Sequence, residues 1–190
     1  MQIASFEEIR GILLRLPEIV DRLEAKDPRF SDHVKIWLED LETALANNRL
    51  SQASSVAALR SNLISAERGY QNEGLEMGGR RTARRLKEAV AINSLRGADA
   101  IAADLLRGYA SKIAEGEKLA LQLVALSDQK GILQKFSSAE NHTTMLTAIW
   151  SAMSEDPDLA AGTTALKGLV GFRDALILVD RMIPVIQEGI

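Results

Sequence analysis

The sequence predicts an all-α protein, a single bundle of about seven or eight helices over residues 1–190. Apolar residues recur at three- and four-residue spacing along nearly the whole chain, and no stretch alternates apolar and polar residues long enough to argue for a strand. The composition agrees: Ala and Leu dominate, against 4 Pro, 4 Phe, 2 Tyr and 2 Trp. A segment at 74–79 holds three glycines and divides the bundle into two candidate lobes, 1–73 and 80–190.

The first helix is placed at Ser5, where Ser5 and Glu8 have the spacing of a capping box and Phe6, Ile9, Leu13 and Leu16 follow as an apolar stripe. Pro17 has no N–H to continue that ladder, so it kinks the helix or opens a second one, which Asp27-Pro28 stops. Ser31-Asp32 is read as the cap of a third helix. Val34, Trp37, Leu38, Leu41 and Leu45 form its inner face, and it ends near Asn47-Asn48. A fourth begins at Ser51 with Val56, Leu59, Leu63, Ala66 and Tyr70 inward and reaches about Asn72.

Beyond the glycines a helix resumes through Leu86 and Ile92, and Gly97 either ends it or interrupts a longer rod. From Ala98 to about Ser127 the stripe is Ile101, Leu105, Tyr109, Ile113, Ala120 and Leu123. Small residues, among them Ala102, Gly108 and Gly116, let neighbouring helices approach. Gly131 marks a turn, and Ser137 and Glu140 form a second capping-box candidate before Met145, Leu146, Ile149, Trp150 and Met153. Asp156-Pro157 ends that helix. Thr163 or Thr164 caps the last one, which carries Leu166, Leu169, Val170, Leu176, Ile177, Val179 and Ile183 and is interrupted late by Pro184.

Composition excludes several chemistries. With no cysteine there is no disulfide, thiolate nucleophile or Cys-based metal site, and His33 and His142 are the only imidazoles. No metal and no cofactor are expected. The acids Glu7 and Glu8 stand where a secretory leader needs a basic segment, and the longest uncharged run, 141–154, is too short and polar to span a bilayer. A cytoplasmic protein is expected.

The net charge is −3, yet residues 51–100 carry 8 basic and 5 acidic residues. Arg80, Arg81, Arg84, Arg85 and Lys87 fall within eight residues. On a helix, Arg80, Arg84 and Lys87 share one ridge and Arg81 and Arg85 the next. This broad basic face suits an anion or an acidic partner; the competing reading is a solvated face paired with the protein's own acids. No GxxxxGK[ST] loop accompanies it.

Three polar residues fall on apolar helix faces. Arg173 and Asp180 interrupt the stripe of the last helix, and His142 is in line with Met145 and Ile149. A buried charge needs a partner, so Arg173 is expected to pair with an acid on another helix or across an interface. These three residues also define the alternative of a helical enzyme or ligand pocket, although a lone histidine has no nucleophile or second base beside it. With no catalytic motif visible, the primary expectation is a non-enzymatic interaction or assembly module, with a protein partner or a second copy of the chain. Nucleic-acid or other polyanion binding through residues 80–87 is the alternative.

Overall fold

The computed structural model describes residues 2–68, 80–136 and 141–187 of the chain. Among them there is no strand, and the helices are α1 (Gln2–Leu13), α2 (Leu16–Glu24), α3 (Phe30–Asn47), α4 (Gln52–Glu67), α5 (Arg80–Gln129), α6 (Ile132–Phe136), α7 (His142–Glu155), α8 (Ala160–Val170) and α9 (Phe172–Gln187). The protein is all-α. It divides into two compact units, one of Ala4–Arg107 and the other of Met1–Ile3 with Gly108–Ile190. The candidate lobes 1–73 and 80–190 do not coincide with these units, because α5 contributes to both; the glycines at 74–79 lie outside the described residues.

In the unit Ala4–Arg107, the inner face read from the sequence for α3 is buried in full, and Val56 and Leu63 of α4 join it. Ala91, Leu95, Ala98 and Ala102 of α5 complete this core. Their spacing of three or four keeps one narrow, small-residue face inward, so α5 lies close to its neighbours. The Gly97 position shows how close: an added Cβ would lie 3.2 Å from Leu59 Cδ1. Gly97 is therefore interior to a single long helix. Pro17 occupies the first turn of α2, where a missing N–H costs nothing. The buried indole of Trp37 donates through Nε1 to the Ile12 carbonyl at 2.9 Å, tying α3 to the end of α1.

In the unit containing Gly108–Ile190, the core is built from Ile113, Ala120, Leu123 and Val124 of α5, Leu146, Ile149, Trp150 and Met153 of α7, Leu166 and Val170 of α8, and Leu178, Val179 and Ile183 of α9. Two glycines permit the packing, since a Cβ at Gly116 would meet Leu178 and one at Gly162 would meet Leu123.

Several helix starts differ from the sequence reading. Ser5 is inside α1, where its buried hydroxyl donates to Asn48 Oδ1 at 2.6 Å instead of capping. No side chain caps α3, which begins at Phe30. The Ser137–Glu140 box lies outside the described residues, and Asn141 caps α7, its Oδ1 accepting from the Thr143 N–H at 2.9 Å. Thr163 is buried inside α8 and donates back to the Ala160 carbonyl. The last apolar run is two helices, because Gly171 at φ +86° breaks it between α8 and α9.

Candidate functional site

The basic residues at the start of α5 open onto a cleft of about 830 Å³ within the unit Ala4–Arg107. From α5 come Arg84, Arg85, Lys87 and Glu88; Glu67 comes from the end of α4. The end of α2 supplies Leu23, the α2–α3 connection Lys26, Asp27 and Pro28, and the first turn of α3 Phe30, Ser31 and Asp32. The local fold sets this up. Lys26 takes φ 57°, which ends α2 and turns the chain, and Asp27 Oδ1 accepts the Arg29 N–H at 2.8 Å to hold that turn ahead of α3.

Three of the four acids of the cleft, Asp27, Asp32 and Glu67, are already engaged by side chains that stand outside its lining; Glu88 is the fourth. Asp27 Oδ2 lies 3.3 Å from Arg22 Nη1 and 3.8 Å from His33 Nε2. Lys35 Nζ lies 3.1 Å from Glu67 Oε2 and 3.5 Å from Asp32 Oδ1. The Arg29 N–H and then the Arg22 side chain hold the Asp27 carboxyl below the usual carboxylate range, and the hydrogen bond to Glu67 raises the Lys35 ammonium. Neither acid is a free counter-charge for α5.

Arg84 and Arg85 are exposed and Lys87 half-buried, and none of the three makes an ion pair within 4 Å among the described residues. Lys26 is likewise exposed and without such a pair. The lining thus holds four cations without ion pairs among the described residues and four carboxylates, three of which are shared with side chains outside it. The side chains of Arg80 and Arg81 lie outside the described ones, although both residues belong to α5. Sequence reasoning missed the contribution of Leu23, Lys26 and Pro28. Asp27-Pro28 signals a helix stop, and nothing in its spacing announces that the stop shares a cleft with the arginines 57 residues further on.

The three polar residues of the other unit part company. His142 Nε2 lies 2.8 Å from Asp180 Oδ1, joining the first residue of α7 to α9, with the imidazole 62 % exposed. This pair is a surface contact, so His142 is not on a buried face. Arg173 is exposed and makes no ion pair within 4 Å among the described residues, which corrects its placement in an apolar stripe with an acidic partner. The break at Gly171 resets the register, and the buried row of α9 starts with Asp174, Ala175, Leu178 and Val179. The expected pocket around Arg173, Asp180 and His142 is not assembled as such. The nearby α7 groove, of about 400 Å³, is lined by Thr143, Thr144, Thr147, Ala148 and Ser151 and includes none of them.

A shallower apolar groove in the unit Ala4–Arg107 is formed by Leu16, Pro17, Val20 and Leu95, with Asp21, Arg96 and Asp99 around it. No helix among the described residues is long and apolar enough to cross a membrane, and no group of three or more His, Asp or Glu among them is placed to hold a metal ion. Compared with known proteins, the chain matches no family model, no curated protein and no solved structure.

Proposed function

We propose that this chain is a non-enzymatic helical binding module that engages an anionic partner through the start of α5. One observation carries the reading: Arg84, Arg85, Lys87 and Lys26 line one cleft without ion pairs among the described residues, while Asp27, Asp32 and Glu67 beside them are held by Arg22, His33 and Lys35. Guanidinium groups left in this state offer planar, multidentate donors to phosphate or carboxylate oxygens. Calorimetric titration with inorganic tripolyphosphate at about 50 and 200 mM salt tests it. The wild type binds and weakens with salt, and Arg84→Glu with Arg85→Glu removes the binding; equal binding by the double variant overturns the proposal.

A second reading, self-association, is favoured by a separate observation. Leu14 is 68 % and Val20 42 % exposed, and Val20 lies in the apolar groove with Leu16, Pro17 and Leu95. Acids and an arginine both rim that groove. A two-fold contact needs a self-complementary patch of this kind, so a second copy of the chain is the occupant. Light scattering over a range of protein concentrations reads it: a dimer that Val20→Glu dissociates supports the contact, and a strict monomer removes it.

A further inference from the structure

Resting on the anionic reading above, we infer that the cleft at the start of α5 takes a compact nucleoside phosphate rather than an extended polyanion. Two chemically different surfaces meet there. α5 supplies Arg84, Arg85 and Lys87 with Glu88, whereas the end of α2, the α2–α3 connection and the first turn of α3 supply the apolar side chains Leu23, Pro28 and the buried Phe30 and the hydroxyl of Ser31, together with Lys26, Asp27 and Asp32. Charge alone needs no apolar surface. A ligand that uses both has an anionic end and a body with apolar faces and polar edges, which is the chemistry of a nucleobase and sugar carrying phosphates.

Size and charge placement point the same way. The cleft, at about 830 Å³, is within the roughly 300–1,000 Å³ that small-ligand sites occupy. Asp27, Asp32 and Glu67 enter the same lining from elements other than α5: the α2–α3 connection, the first turn of α3 and the end of α4. A long phosphate chain crossing the cleft would bring its further charges against these carboxylates. A short one ends at the arginines and leaves an uncharged body beside the acids, where its amino and hydroxyl groups have acceptors. Glu88 adds another such acceptor from α5 itself.

The test uses the full chain and three probes under one buffer: ATP, inorganic tripolyphosphate and a 20-base-pair DNA duplex, each titrated calorimetrically. The inference expects ATP to bind at least tenfold more tightly than tripolyphosphate, with both lost in the Arg84→Glu, Arg85→Glu variant. Leu23→Asn lowers the affinity for ATP severalfold and leaves tripolyphosphate unchanged. Equal affinity for ATP and tripolyphosphate overturns the nucleoside assignment and leaves the anionic site standing. Duplex binding tighter than ATP also overturns it, in favour of a polymer. Failure of all three probes to bind overturns both readings. The comparison of probes on the wild type decides the matter even where a substitution unfolds the chain.

Discussion

A methyl group added at Gly116 would lie 2.8 Å from Leu178 Cδ1 and 3.1 Å from Val170 Cγ1, and one at Gly162 would lie 2.7 Å from Leu123 Cδ2. All three neighbours are buried, so none can swing away into solvent. Gly116→Ala and Gly162→Ala should each destabilise the protein by about 1–3 kcal/mol in denaturant melts, the ordinary cost of overpacking a close-packed interior. Gly168 is the control, because a Cβ there meets nothing within 4 Å and its substitution by alanine should not destabilise. A second test of individual side chains concerns Lys130, whose Nζ lies 2.6 Å from Asp156 Oδ1 and 2.5 Å from Asp158 Oδ2. The hydrogen bond from Lys130 holds the Asp156 carboxyl below its usual range. A carboxyl lowered in the folded state contributes stability above the unfolded pKa and loses it as pH falls through the folded one. Thermal melts from neutral pH down through about pH 4 and below should therefore show the wild type losing more stability than Asp156→Asn; parallel losses would mean that the pair contributes nothing.

Where one helix stops and another starts was the least legible part of the sequence, and α8–α9 shows why. Leu166, Val170 and Ile177 keep helical spacing across Gly171, so periodicity alone reads one element. The backbone there takes φ +86° and ψ 160°, a region open to glycine and strained for any residue with a Cβ. Gly171→Ala should cost about 1–3 kcal/mol, measurable by chemical denaturation, even though nothing lies within 4 Å of the added atom. A neutral substitution would show that α8 and α9 can join without penalty. The same break carried Arg173 out of the stripe assigned to it. By contrast the α3 face was readable, because five residues spaced over three turns leave one solution for the buried side. The arginines of the cleft were readable as a cluster on α5, but the surface facing them was not, since the α2–α3 connection reaches it by tertiary folding and no local pattern encodes that.

For the molecule as a whole, α5 is the element that both compact units contain. Its buried rows stop at Ala102 and resume at Ile113, and no residue between 103 and 112 is buried. Gly108 sits in this stretch with nothing within 4 Å of an added Cβ. Tertiary packing there is limited to partly buried side chains such as Leu105 and Leu106, so intrinsic helix preference weighs more in local stability than in the flanking turns. Gly108→Ala should raise the stability of the stretch by about 0.5–1 kcal/mol, with an upward shift of the melting midpoint as the readout and a downward shift as the contrary result.

An isolated helix protects its middle best and frays from its ends. The distribution of buried residues along α5 reverses that order between 91 and 127, because its best-packed turns flank its least-packed ones. Amide deuterium exchange followed residue by residue should show an inverted profile, slow on either side and fastest near Gly108, where opening a turn disturbs only partly buried side chains such as Leu105 and Leu106. One continuous rod would then behave as two separately protected segments with a solvent-accessible seam between them.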